Sequence, residues 1–243
     1  KSVAAYLNDI ATTGCATNVA TLYGHNTVLE QVKGNKADPL TPEQLESARE
    51  ILRRAMREGA VGMSTGLIYT PGKYSPTEEI IELQRAVAEL GGIYATHMRS
   101  ETTEILAAID EALRIGRETG CRVEISHFKI PRDNTIGGSA TTLGRVQAAR
   151  EAGQEVWLDQ YPYAASSTNL SVTLPDWVLE QGHDAARAAL GDPATARRAA
   201  REIAEHYSKN RHFEDLSFIA ITSCREHPEF AGLDMKEIGR RYK

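Results

Sequence analysis

The chain has 243 residues, a quarter of them charged, with a formal net charge of −5 and a mean hydropathy of −0.39. No apolar run approaches the roughly 18 residues of a membrane-spanning helix, and Lys and Arg are dispersed among acids, which argues against a nucleic-acid surface. Cys15, Cys121 and Cys224 sit at no motif spacing, so neither a disulfide framework nor a four-cysteine zinc site is expected, and the expected compartment is reducing and cytoplasmic. The chain opens on Lys1 and not Met, so it reads as a stretch of a longer protein whose targeting signals lie elsewhere.

Short apolar runs alternate with helical patterns along the sequence. Residues 18–22 (NVATL) read as a strand. Thr41, Pro42 and Gln44 make a capping box ahead of Leu45, Ala48, Leu52 and Ala55, an apolar face that ends at Gly59. Residues 60–63 (AVGM) read as a second strand. Ser75, Pro76 and Glu78 predict another capping box, with Ile80, Leu83, Val87 and Leu90 as its stripe and Gly91-Gly92 as its end. Residues 93–97 (IYATH) form a third strand. A helix from Ile105 ends at Gly120, residues 123–127 (VEISH) form a fourth strand, a helix near 143–152 ends at Gly153, and residues 156–158 open a fifth.

Strands separated by capped amphipathic helices mean βα units and a parallel sheet. Two architectures fit: an open doubly wound sheet, or part of a (β/α)8 barrel. From Pro175 the pattern changes, with helices at 176–181, 194–207 and near 235–240 and a strand at 216–221 (LSFIAI). The expected organisation is a main α/β domain over 1–174 and an insertion subdomain over 175–243 packed on it.

Two strand ends read alike. Thr96-His97-Met98-Arg99 closes the third strand and Ser126-His127-Phe128-Lys129 the fourth, with the histidines 30 residues, about one βα unit, apart. Neighbouring parallel strands lie about 4.8 Å apart, and side chains at equivalent ends point the same way. Two imidazoles so placed can converge on one metal at about 2.0–2.1 Å, on the edge where parallel α/β folds bind ligands. A lone strand-end histidine is more often a hydrogen-bonded core residue; two at matching positions, one unit apart, leave the shared ion and the core role both open. His25, in YGHN, reads as a loop histidine with a local hydrogen bond, and His183, His206, His212 and His227 as surface residues. Tyr69, beside the Pro71-Gly72 turn, Asp159, and the hydroxyls of Tyr161, Tyr163, Ser166 and Ser167 are weaker ligand contacts. Asp159 reads either as an acid/base group or as a carboxylate that holds a loop. No Gly-x-Ser-x-Gly elbow is present, so serine catalysis is not supported.

The segments GLIYTPGKYSPTEE, GGIYATHMRSE, EISHFK and DQYPYAASST, in this order and spacing, with NVATLYGHNTV before them, resemble the N-acyl-D-amino-acid deacylases, zinc enzymes of the amidohydrolase superfamily. The resemblance implies a partial (β/α)8 barrel, roughly its strands three to seven, and hydrolysis of an N-acyl-D-amino acid. It implies His97 and His127 as metal ligands and Lys129, Tyr69, Tyr161 and Ser166 as substrate-binding residues, with Tyr163 an alternative to Tyr161. Arg99 and Glu101 are expected to pair with each other and hold the loop. The family's His-x-His is absent, Cys15 is too near His97 to be its metal-binding cysteine, and its acid/base aspartate is expected beyond Lys243, so no catalytic acid/base is assigned in this chain. A dihydroorotase-like cyclic amidase and an inert folded piece that binds no metal are the alternative readings. The expected partner is a small N-acyl-D-amino acid, with no nucleic acid or membrane, and association through exposed sheet edges.

Overall fold

Helical start signals and strand ends coincide along the first two thirds of the chain, and the structure, a computed structural model describing residues 1–130, 138–210 and 213–242, shows what they build. The chain divides into two compact units, Lys1–Val172 with Glu180–His183, and Thr173–Leu179 with Asp184–Lys243.

Among its described residues the first unit holds five parallel strands, β1 (Tyr23–Gly24), β2 (Gly62–Gly66), β3 (Ile93–His97), β4 (Val123–Ile125) and β5 (Val156–Leu158). They lie side by side in sequence order. A doubly wound sheet reverses its strand order at a switch point, and this one does not. Right-handed crossovers advancing in one direction place every connecting helix on the same face, as along an arc of a (β/α)8 barrel.

Among the described residues, six α-helices belong to this unit, α1 (Val3–Thr13), α2 (His25–Lys33), α3 (Pro42–Arg57), α4 (Thr77–Ala88), α5 (Ile105–Thr119) and α6 (Gly138–Glu151). The capping box of α3 forms as expected: the Thr41 hydroxyl accepts from Gln44 N while the Gln44 side chain accepts from Thr41 N. Gly120 ends α5 in the left-handed region at φ 68°, where a side chain is disfavoured. Ile80, Leu83, Val87, Ile105 and Ile109 are fully buried against Met63, Tyr94, Val123 and Ile125. Each such side chain contributes about 1.5–3 kcal/mol relative to exposure.

Several expected boundaries move. The first strand lies at Tyr23–Gly24, not at 18–22, because those two residues pair with Met63 and Ser64, whereas 18–22 lie outside the strand and are largely exposed. The second strand extends through Ser64-Thr65-Gly66, whose polarity hid it. The buried Thr65 hydroxyl is satisfied by Tyr94 Oη at 2.9 Å and Thr96 Oγ1 at 2.8 Å. The capping box at Ser75 does not form; Ser75 Oγ instead donates to Glu79 Oε1 at 2.7 Å. Leu90 lies past the end of α4 and is exposed.

The second unit carries α7 (Asp176–Leu179), most of α8 (His183–Leu190), α9 (Pro193–Glu205) and α10 (Met235–Arg241). Its core is small: Val178, Leu179, Ala186 and Ala199, with Trp177 alongside. Trp177 Nε1 donates to Glu202 at 2.7 Å, and Arg198 stacks over the indole at 4.1 Å. The strand expected at 216–221 is reduced to an isolated bridge between Ala220 and Asp234. No neighbouring strand pairs with it among the described residues. No helix of the described residues is long and apolar enough to cross a membrane.

Candidate metal centre

Alternation along β3 sets the first imidazole. Tyr94 and Thr96 turn toward the helices, so Ile93, Ala95 and His97 face the opposite side of the sheet, with His97 at the carboxyl end. His97 is half-buried. Burial, the largest influence, pushes its pKa down to about 4 against the opposing pull of Glu101, so the ring is neutral near pH 7.

The second imidazole arrives differently. Thr96 pairs with Ile125, so the partner of His97 across the sheet is Ser126, and His127 lies one step further on. Simple alternation would turn its ring to the helix side. His127 instead adopts φ 41°, a left-handed conformation uncommon outside glycine. Asp159 Oδ1 accepts from His127 N at 2.5 Å and holds that turn. The two rings meet with centroids 4.5 Å apart and planes at 71°. They are therefore brought together, though not from equivalent strand positions as expected. The backbone conformation supplies what register does not.

Glu101 completes the group. Its Oε1 lies 2.6 Å from His127 Nδ1 without hydrogen-bond alignment, and its Oε2 accepts from Lys129 Nζ at 2.5 Å. Lys129 Nζ also stands 3.4 Å from His127 Nδ1 and 5.2 Å over the Tyr161 ring. The expected Arg99–Glu101 pair does not form. Arg99 turns away and clamps Glu111 through two guanidinium nitrogens at 2.8 and 3.0 Å, while donating to the carbonyls of Lys73 and Ser75. It thereby fastens the 66–74 loop to α5.

That loop lays Tyr69 beside the site, its ring 5.2 Å from His97 and its hydroxyl 2.9 Å from Thr168 Oγ1. Tyr161 lies 6.3 Å from the His127 ring, whereas Tyr163 stacks on the far side of Tyr161 and is exposed. Ser166 is on the same segment and exposed. Asp159 is exposed and engages the His127 backbone; it also helps to raise the carboxyl of Glu124 to about 7, after burial as the larger cause. His25 is not a loop histidine. It opens α2, is fully buried, and neither ring nitrogen has a hydrogen-bond partner. Burial lowers its pKa to about 3. His183, His206 and His227 are exposed, and His212 lies outside the described residues.

Among the described residues, His97, Glu101 and His127 offer ligand atoms that all lie within 4.8 Å of one another. His97 Nε2 and Glu101 Oε1 are buried with no hydrogen-bond partner. A buried polar atom left unpaired costs about 1–3 kcal/mol. Two imidazoles and a carboxylate form a donor set suited to zinc or a similar divalent ion. Sequence reasoning did not bring Glu101 to this cluster. Its signal was the spacing His97-x-x-x-Glu101 within one βα loop.

No sequence-family profile matches the chain. A D-aminoacylase of Alcaligenes xylosoxydans xylosoxydans is 44% identical over 165 residues, which are 68% of this chain and 34% of that protein. The chain thus spans about a third of that relative's length. A D-aminoacylase crystal structure, described as defining a novel subset of amidohydrolases, superposes with a TM-score of 0.75 at 31% identity, over all of this chain and 43% of that one. An N-acyl-D-glutamate deacylase from Bordetella bronchiseptica, complexed with zinc and a phosphonate mimic of the tetrahedral intermediate, superposes with a TM-score of 0.77 at 31% identity, over 99% of this chain and 43% of that one. By sequence and by fold, the chain belongs to the D-aminoacylase family of the amidohydrolases.

Proposed function

We propose that the chain supplies the metal-binding and carboxylate-anchoring part of a hydrolase that removes the acyl group from N-acyl-D-amino acids. The observation that carries this reading is the convergence of two imidazoles, with centroids 4.5 Å apart, at adjacent strand ends in a chain that matches deacylases. His97 and His127 are the residues that would hold the ion, zinc in this reading. When bound, such an ion polarises the amide carbonyl and lowers the pKa of water to about 7. His97, kept neutral by burial, presents a free lone pair without first losing a proton. Lys129 receives the substrate carboxylate as a point charge, which requires it to loosen from Glu101. The hydroxyls of Tyr69, Tyr161 and Ser166 orient the substrate around it. The fixed direction from the metal ligands to Lys129 selects the D over the L configuration. The acid/base carboxylate is assigned to a residue outside this chain, and the chain by itself is read as a poor catalyst that associates through its outer strands, β1 and β5.

Calorimetry with an N-acetyl-D-amino acid and its L enantiomer, on the zinc-loaded chain, tests the reading. The D form binds more tightly, and Lys129→Ala abolishes the difference. Equal binding of the enantiomers to the parent chain overturns it.

A further inference from the structure

We propose that Gly72, seated on His25 and Asn26, sets the position of Tyr69 beside the metal centre, which makes His25 and Asn26 positioning residues for that ring. The bearing of this fit on catalysis rests on the reading of Tyr69 as a substrate contact. His25 is a fully buried histidine at the carboxyl end of β1 that the proposed chemistry does not use. Neither its ring nitrogens nor Asn26 Oδ1 has a hydrogen-bond partner among the described residues. What these atoms meet is the buried Gly72, which starts the turn Gly72–Tyr74. A Cβ at position 72 would stand 3.2 Å from His25 Nδ1 and overlap Asn26 Oδ1. Gly72 has no left-handed backbone that would itself call for glycine, so the requirement is one of space.

The fit at Gly72 reaches Tyr69 through one turn of backbone. Lys73 N donates to Tyr69 O at 2.9 Å, and Tyr69 N to Gly66 O at 3.1 Å. Gly66 pairs with His97 across the sheet. The Tyr69 ring lies against Gly66, where a Cβ would come 2.8 Å from Tyr69 Cδ2. That packing keeps the ring 5.2 Å from the His97 ring. Two other contacts hold the same loop but do not place the ring in this way. Arg99 binds the carbonyls of Lys73 and Ser75, on the limb beyond Gly72, and Thr168 meets Tyr69 only at its hydroxyl. A side chain at position 72 lifts the loop between those two holds and draws the ring away from Gly66.

The test is fluorine NMR of the metal-free chain labelled with 3-fluorotyrosine, with the Tyr69 resonance identified by its loss in Tyr69→Phe and the fold verified by circular dichroism. Gly72→Ala moves that resonance by more than its linewidth. Adding Asn26→Ala, which clears the overlapping oxygen, brings it at least halfway back, the coupling expected of two groups in direct contact. A merely structural role for Gly72 lowers the urea midpoint without moving Tyr69. A resonance that stays in place in folded Gly72→Ala, or that the second substitution does not restore, overturns the proposal. If Gly72→Ala does not fold, the double variant decides: a folded chain with a parent-like Tyr69 resonance supports the seat, and an unfolded chain or a displaced resonance overturns it. Neither metal nor substrate enters this measurement, so it stands apart from the deacylase reading. On the zinc-loaded chain, Gly72→Ala weakens binding of an N-acetyl-D-amino acid by about threefold to tenfold, the contribution of one hydrogen bond. A moved resonance with unchanged affinity sinks Tyr69 as a substrate contact and upholds its placement by Gly72.

Discussion

The ends of β3 and β4 carry one pattern: a small hydroxyl residue, a histidine, a large apolar residue and a base. In the folded chain they do different things. His97 continues its strand, and its direction follows from alternation. His127 has left the strand and reaches the same place only through a left-handed backbone. The two bases part company altogether. Arg99 becomes a structural clamp on Glu111 and two loop carbonyls, whereas Lys129 stays at the site against Glu101. A planar guanidinium with five donors suits a multi-point clamp, and an ammonium suits an exchangeable point contact. Equal spacing in sequence therefore matched the histidines in space but not the roles of their neighbours.

The contrast between the bases should be the largest in a stability measurement. Arg99→Ala removes the cation from Glu111, whose side chain is only 12% exposed and keeps only the Thr77 hydroxyl at 2.7 Å, and takes the guanidinium donors from the carbonyls of Lys73 and Ser75. We expect a loss of about 3 kcal/mol, read as a lower urea midpoint. Lys129→Ala should cost less than about 1 kcal/mol. Comparable losses would break the assignment of the two bases.

Glycine substitution at the histidines should give opposite signs. His97→Gly places glycine inside a strand and destabilises by about 0.5–1 kcal/mol from backbone entropy alone. His127→Gly relieves a left-handed residue and returns about 1 kcal/mol. The predicted difference is about 1–2 kcal/mol in favour of His127→Gly, checked by chemical denaturation. A loss at His127 as large as that at His97 would contradict the backbone account.

An effect of similar size concerns pH. The folded chain holds the pKa of His97 at about 4, below the ordinary 6.5, mainly through burial. The folded state thus binds this proton more weakly than the unfolded state. Stability is complete above about 6.5 and falls as the pH drops toward 4. Because the ring is partly exposed, solvent screening reduces the effect to about 1–2 kcal/mol. His97→Gln should flatten the stability curve between pH 6.5 and 4 by that amount, and an unchanged slope would show that the ring is not held neutral by its surroundings.

Much of this was legible in the residues. The Thr41 box, the Ile80-Leu83-Val87 stripe and the Gly120 stop announce α3, α4 and α5 locally, because capping and periodicity act within a turn or two. The strand at Ile93–His97 was readable end to end. The helix at His25 was not, since its cap is Gly24 with no side-chain hydrogen bond, which leaves no start signal. The segment LSFIAI has strand composition, yet composition supplies no partner strand, and without one only the Ala220–Asp234 bridge forms.

By itself the sequence determined the parallel βα plan, the pair of histidines and the resemblance to the deacylases, all of which rest on local pattern and spacing. Only the tertiary structure decided that Arg99 leaves the site, that His127 turns through a positive φ, and that Glu101 stands between the imidazoles and Lys129. Those outcomes depend on strand register and on contacts between loops about 10 to 30 residues apart, where several charged partners compete and proximity in the fold selects among them.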